Sequence, residues 1–525
     1  MLISLKKISS LFIIAGYFLL PVIVCAQNNL SDRNIHADYL KSSGKFSRMY
    51  AECIGAGRAN EGLRADWQQQ LQLIKKEIGF KYIRFHGLLS DDMHVYTEDK
   101  SGNPSYNFQY IDKLYDFLLS IGIKPFVELS FMPPDLASGT KTVFWWKGNV
   151  TPPKSYEKWE ALITALVNHF EERYGRVEVE KWYFEVWNEP DLAGFFSGTM
   201  DDYFKLYSST VAAIKSVSKT YLVGGPASAR NNWIKPFLQF CADKNIPVDF
   251  VSTHSYNTKS VLDEFGLGKR RLVAENYLYE AVKKVRRIID STKYKNTELH
   301  YTEFNSSPSS HDPIHDTYQN AAWLLTTLKK TEHVANSMSY WTFTDIFEEA
   351  GPAITSFHGG FGLLNLQGIR KPSFYSYKFL SELGETELVN ADSSSWICKS
   401  KNGLQILFWN MHLPFGDTTI FDEIYFRKII PAADAGNVSI NIDHVPNGRY
   451  NLLIYKVGYH NNDPYSAYLE MGAPYNISLS QEAALKKISS GEPVSKKQIT
   501  ITNEIYSDQF RVNENDIYFI RLIRS

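Results

Sequence analysis

Trp182-Tyr183-Phe184-Glu185-Val186-Trp187-Asn188-Glu189-Pro190 is a short, almost continuous apolar run that stops on a polar pair and a proline. A half-exposed strand would alternate polar and apolar residues, so a run like this reads as a strand covered on both faces. Working outward, seven more such runs occupy residues 48–54, 82–86, 125–131, 221–225, 249–254, 299–304 and 338–343. The stretches between them are amphipathic. Leu63, Trp67, Leu71, Ile74 and Ile78 follow one another at helical spacings, and Ile111, Leu114, Tyr115 and Leu118 fall at i, i+3, i+4 and i+7. That is the period of a helix with one buried face. Eight strands alternating with helices predict a (β/α)8 TIM barrel over residues 48–384. An open doubly wound sheet would carry a phosphate-binding glycine turn after its first strand. Gly55-Ala56-Gly57 begins one, but Asn60 stands where the third glycine belongs,.

After about residue 385 the texture changes. Residues 395–409, 437–443, 449–457, 498–503 and 516–522 read as strands split by turns such as Pro446-Asn447-Gly448, with one helical stretch at 480–489. This predicts a β-sandwich over 385–525 that buttresses the barrel. Residues 27–47 are expected to add an edge strand to it. The first 26 residues read as an export signal. Lys6 and Lys7 precede an apolar run over 11–25, and Val24-Cys25-Ala26 offers a cleavage site before Gln27,. The expected location is periplasmic or extracellular. Lipid anchoring through Cys25 is the alternative, disfavoured because Val24 is larger than a lipobox requires. Cys53, Cys241 and Cys398 then remain, too far apart in sequence for a metal-binding spacing, and are expected to be buried thiols with at most one bridge.

The chain has 525 residues, a net charge of -1 and 44% hydrophobic residues. Near-neutrality supplies no long-range field for nucleic acid or a membrane surface, so neither is an expected partner. Aromatic richness, 14% of the chain, suits stacking on sugar rings but equally a large core.

Barrels of this kind carry their chemistry at the carboxyl ends of the strands. The fourth run ends on Asn188-Glu189 and the seventh on Thr302-Glu303-Phe304-Asn305, so each delivers a carboxylate to the mouth. Two facing carboxyl groups are what hydrolysis of a glycosidic bond needs. One protonates the leaving oxygen, and the other either attacks the anomeric carbon or activates water, depending on their separation. Sequence does not measure that gap. The aromatic surroundings of Glu189 predict a raised pKa, as a working acid needs. A strand-end glutamate is usually a salt-bridge partner, but two on these two runs point to catalysis.

Several longer segments match a known family. They include Gly62-Leu63-Arg64-Ala65-Asp66-Trp67, Arg84-Phe85-His86-Gly87-Leu88, Phe144-Trp145-Trp146-Lys147-Gly148-Asn149, Thr253-His254-Ser255-Tyr256, the stretch 339–349, Phe357-His358-Gly359-Gly360-Phe361-Gly362 and Tyr468-Leu469-Glu470-Met471-Gly472. With Asn188-Glu189-Pro190, they make the chain resemble glycoside hydrolase family 39 over nearly its whole length. The resemblance implies an exo-acting, retaining β-D-xylosidase acting on xylosides or xylo-oligosaccharides, without metal or cofactor. It implies Glu189 as acid/base, Glu303 as nucleophile and Asn188 on the sugar 2-hydroxyl. Arg84 and Tyr256 would contact Glu303, and His86, Phe131 and His254 would line the sugar site. Trp341 would supply a platform, and Glu348 or Glu349 would bind outer hydroxyls. Ser130 stands where the family is expected to have glycine, which bears on aglycone or sugar preference rather than chemistry. The same chemistry on an α-L-iduronide, an α-L-arabinoside or a substituted plant-wall oligosaccharide remains open, as does a carbohydrate-binding protein without catalysis.

Overall fold

The computed structural model describes residues 32–262, 265–415, 417 and 419–525. The expected export signal therefore lies outside the described residues. Eight parallel strands close into a barrel. They are β1 (Cys53–Arg58), β2 (Tyr82–His86), β3 (Lys124–Leu129), β4 (Tyr183–Val186), β5 (Leu222–Ser228), β6 (Phe250–Tyr256), β7 (Glu298–Asn305) and β8 (Ser337–Tyr340), paired in that order with β8 returning to β1. Helices cover the barrel as the periodicity predicts. Trp67, Leu71 and Ile74 of helix Ala65–Glu77 are buried, as are Ile111, Leu114, Tyr115 and Leu118 of helix Gln109–Ser120. Caps set the ends of the helices that flank β4. Ser155 accepts from the Lys158 amide ahead of Tyr156–Tyr174, and Thr199 and Asp202 form a reciprocal capping box ahead of Met200–Val217,.

All the strands but β2 shift in their bounds from the sequence reading, and the first and last show why. The first strand begins at Cys53, not at residue 48, because Met49–Ala51 forms a 3-10 turn. Those apolar residues are buried by packing outside the barrel, where Tyr50 meets Tyr377. The last strand ends at Tyr340; beyond it the Thr342 amide turns to Phe361 O outside the barrel, while the Phe343 amide still reaches Gly55 O of β1.

The carboxyl-terminal region is a nine-stranded mixed sheet folded into a sandwich around its own core. The predicted strand at 395–409 is a hairpin, Ser395–Ser400 and Gly403–Trp409. Alternation assigns its two faces. Leu404, Ile406 and Phe408 enter the sandwich core, whereas Leu407 and Trp409 join the barrel's apolar core. Trp409 also donates its indole N–H to Thr326 Oγ1 on a barrel helix at 2.8 Å. The amino-terminal strand Arg33–Lys45 lies inside this sheet, between Thr386–Asn390 and Asp434–Asp443, rather than at the expected edge. Its Ile35 and Ala37 are buried there. Cys53, Cys241 and Cys398 are buried and unbridged. No helix of the described residues is long and apolar enough to cross a membrane.

Candidate active site

Side chains two apart on a strand share a face, and the barrel interior follows that rule in layers. Phe126, Phe250 and Cys53 with Tyr82 and Tyr183 fill the amino end. The next inward layer is charged. Arg84 is fully buried, and its Nε donates to Glu185 Oε2 at 2.8 Å. Its Nη2 lies 2.7 Å from Glu128 Oε2 and 2.8 Å from Asn188 Oδ1. Its Nη1 reaches Glu303 Oε1 at 2.5 Å. Burial alone would discharge the guanidinium. Glu128, Glu185 and Glu303 outweigh it and hold Arg84 well above its ordinary range,.

The pairing register between β6 and β7 slips between Thr253–Tyr301 and His254–Glu303. One extra residue in β7 is a bulge. It lets Thr302 and Glu303 both serve the barrel mouth: Thr302 Oγ1 donates to Glu185 Oε1 at 2.8 Å, and Glu303 sits above it. Glu303 is held from two sides, since the Tyr256 hydroxyl donates to its Oε2 at 2.6 Å while Arg84 takes Oε1. Charge-assisted bonds of this kind fix a carboxylate's position.

Glu189 is placed by backbone instead. It adopts φ 45° and Trp187 φ 72°, left-handed values that cost non-glycine residues about 1–2 kcal/mol each,. The Glu189 amide donates to Ala227 O at 2.8 Å, which fixes the turn. Burial, then repulsion from Asp191, pushes the Glu189 carboxyl up to about 7. His254 is pulled down to about 4, chiefly by burial, so it is neutral at pH 7.

The hydrogen-bond network assigns its tautomer. Thr302 has one hydrogen, given to Glu185, so it accepts from His254 Nε2–H at 3.1 Å. Arg84 Nη2, 3.4 Å from the same nitrogen, has two hydrogens and two nearer acceptors, Asn188 Oδ1 at 2.8 Å and Glu128 Oε2 at 2.7 Å,. His254 Nδ1 is then an acceptor, and Glu189 Oε1, 3.0 Å away, is its donor. This arrangement needs the proton on Glu189. Both the raised pKa and the network therefore give a protonated acid facing an anchored carboxylate.

Glu189, His254 and Glu303 have donor atoms within 4.8 Å of one another. A metal at that spot would compete with Arg84, Tyr256 and Thr302 for the same atoms. One oxygen of Glu189 and one of Glu303 thus lie within 4.8 Å of each other, close enough for both carboxyl groups to reach one glycosidic bond,.

Around this pair lies a pocket of about 170 Å³, lined among others by His86, Asn188, Tyr256, Trp341 and Glu349. Because Asn188 Oδ1 accepts from Arg84, its amide NH2 is the group presented to a ligand. His86 Nδ1 lies 2.8 Å from Glu128. Burial lowers the His86 pKa, but Glu128 and then Glu349 outweigh it and raise it to about 10. The ring is a fixed cation, 3.4 Å from Glu349 Oε1. Glu349 is itself raised to about 7 by burial, against the pull of His86. A larger cavity of about 780 Å³ lies at the seam between barrel and sandwich, around Arg48, Gln405 and Arg521, and holds none of these groups.

Two expected contacts are not made. Glu348 turns away from the pocket into ion pairs with Arg58 at 2.8 Å and Arg64 at 2.9 Å, so Glu349 alone of the pair serves the site. Phe131 is buried behind the pocket, its ring 6.0 Å from His86 and 5.5 Å from Trp187, and supports rather than lines it. Trp341 does line the pocket, with the Arg84 guanidinium 5.5 Å from its ring centre. Glu128, Glu185, Thr302 and the rim residue Arg230 are site residues that sequence reasoning missed. Of these, only the two glutamates left a signal, as lone acids inside apolar runs.

Residues 33–506 match the family model described as Glycosyl hydrolases family 39. The chain is 41% identical over 463 residues to a beta-xylosidase of Caldicellulosiruptor saccharolyticus, covering 87% of this chain and 91% of that one. It is 44% identical over 383 residues to a beta-xylosidase of Geobacillus stearothermophilus, covering 71% and 76%. The crystal structure of a monomeric beta-xylosidase from Caulobacter crescentus superposes with a TM-score of 0.90 at 36% identity, covering 94% of this chain and 99% of that one. With the paired carboxylates at the ends of β4 and β7, these similarities make the chain a glycoside hydrolase, and it belongs to family 39.

Proposed function

We propose that the protein is an exo-acting β-D-xylosidase that releases xylose with retention of configuration. The observation that carries the mechanism is the pairing of a protonated Glu189 with Glu303 anchored by Arg84 and Tyr256, their oxygens within 4.8 Å. In the first step Glu303 attacks the anomeric carbon as the bond to the leaving oxygen breaks and Glu189 gives that oxygen its proton. In the second, Glu189 takes a proton from water, water attacks the same carbon, and Glu303 is released. The Asn188 amide is oriented to bond the 2-hydroxyl, a contact that strengthens as positive charge develops at the anomeric carbon.

The choice of xylose follows the two beta-xylosidase relatives at 41% and 44% identity. A small pocket, rather than a cleft along which a polymer would run, supports action at a chain end. A uronic acid held at the floor would meet Glu189, Glu303 and Glu349, which disfavours an iduronide,. The apolar run over residues 11–25 behind Lys6 and Lys7 supports export of the enzyme to such substrates,. The test is nitrophenol release from a panel of aryl glycosides. The β-D-xyloside is expected to be cleaved fastest. Faster cleavage of another glycoside changes the sugar assignment, and no cleavage of any member contradicts the reading.

A further inference from the structure

The catalytic pocket is sorted by charge. Its floor is closely paired, with Glu303 and Glu349 set against the His86 cation and the protonated Glu189 around the sugar position. Its rim carries Arg230, on the short turn Ala229–Asn231 that follows β5. This rim belongs to the leaving-group side. The acid protonates the oxygen that joins sugar and leaving group, so the leaving group departs past Glu189. The Glu189 amide bonds Ala227 O, three residues before Arg230 on the same loop.

The rim is a built feature. Arg230 and Asn231 take φ 53° and 63°, a region that L side chains rarely adopt,. Asp191 holds the turn, accepting from the Ala229 amide at 2.8 Å and from Asn232 Nδ2 at 3.0 Å. From below, the Tyr301 hydroxyl donates to Asn231 Oδ1 at 2.7 Å. Both oxygens of Asp191 are thus engaged elsewhere. Among the described residues no carboxylate forms an ion pair with Arg230, whose side chain is exposed on the pocket edge. Strained backbone over-determined by its surroundings is a mark of function, and here it presents an exposed cation that makes no close ion pair at the exit of the active site, although its charge is felt by Glu189 and Asp191.

We propose that Arg230 selects leaving groups that carry a carboxylate, so that acidic aglycones, uronate-bearing oligosaccharides foremost, are the preferred partners of the released xylose. The assignment rests on the β-xylosidase reading and adds the identity of the other half of the substrate. The floor's charges are paired with one another, whereas the rim cation is open to a carboxylate arriving on the leaving-group side.

The experiment measures kcat/KM for 4-nitrophenyl β-D-xyloside and for 3-carboxy-4-nitrophenyl β-D-xyloside with the wild type, Arg230→Gln and Arg230→Glu. Taking the ratio of charged to neutral substrate in each protein cancels the difference in leaving-group reactivity. An exposed pair of this kind should lower the ratio about two- to fivefold in Arg230→Gln, and further in Arg230→Glu. Molar salt should bring the wild-type ratio down to that of Arg230→Gln, since it screens an exposed pair. A ratio unchanged in both variants, with the neutral xyloside still cleaved, overturns the role of Arg230 and leaves the β-xylosidase reading intact. Failure of the wild type to cleave the neutral xyloside overturns that reading and the assignment with it.

Discussion

Tyr82, Phe126 and Tyr183 pack at the amino end of the barrel, with the Phe126 and Tyr183 rings stacked at 4.9 Å. Two residues further along the same strands stand Arg84, Glu128 and Glu185, all buried and bound to one another. The two layers share strands and spacing, but Tyr82 and Tyr183 are only partly buried whereas the charged groups are fully so, and the side-chain chemistry differs. The aromatic layer closes the barrel floor through dispersion and apolar burial. The charged layer adds little net stability, because desolvating ions offsets much of their attraction. Its value is geometric: it holds Glu303 and Asn188 in fixed positions and keeps water-exposed alternatives out of reach.

The sharpest way to break this comparison is at the acid. Glu189→Gln should lower kcat/KM by about 10²–10⁴ on substrates with poor leaving groups, and by far less on activated aryl xylosides that need no proton. The pH profile separates it from Glu349, which is also raised to about 7. Wild-type kcat/KM should fall as pH rises through about 7, where Glu189 loses its proton, and Glu189→Gln should abolish that limb. A limb that survives belongs to Glu349. Stability carries the same sign. A carboxyl raised from 4.5 to about 7 on folding costs stability progressively as pH rises between those values, so the variant should melt higher than wild type at pH 8,.

Arg84→Met tests the charged layer itself. Removing the cation leaves Glu185 buried with only the Thr302 hydroxyl and Glu128 with only His86 and Ser130, and a loss of about 3–5 kcal/mol in unfolding free energy is expected by denaturant titration,. Phe126→Leu tests the floor. It should cost about 1 kcal/mol in the same titration, with kcat/KM on the aryl xyloside unchanged. If Phe126→Leu lowered activity as much as Glu189→Gln, the division of labour between the layers would be wrong.

Much of this was legible beforehand because strand ends, not strand interiors, carry the recognisable signals. The apolar run at 182–187 and the helical spacing of Leu63 to Ile78 give the barrel, and Asn188-Glu189 and Glu303 announce the carboxylates. Glu128 and Glu185 were harder to place, since one acid inside an apolar run looks the same in sequence whether it faces a partner or breaks the pattern. The bulge at Thr302 depends on pairing with β6, which no local signal in β7 reveals. Glu348 and Glu349 are chemically identical neighbours, and only the positions of Arg58, Arg64 and His86 decide which one enters the pocket. Arg230 sits on a loop whose conformation is set by Asp191 and Tyr301, residues 39 and 71 positions away in sequence.

Reaction with a 2-deoxy-2-fluoro-β-xyloside bearing an activated leaving group, followed by peptide mass mapping, tests the central claim directly. The fluorine slows both steps and the activated leaving group keeps the first one fast, so a covalent intermediate accumulates if one exists. The account expects one xylosyl adduct per chain, on the peptide containing Glu303, and none in Glu303→Ala. An adduct on another residue, or turnover with no adduct and release of the inverted anomer, would contradict it.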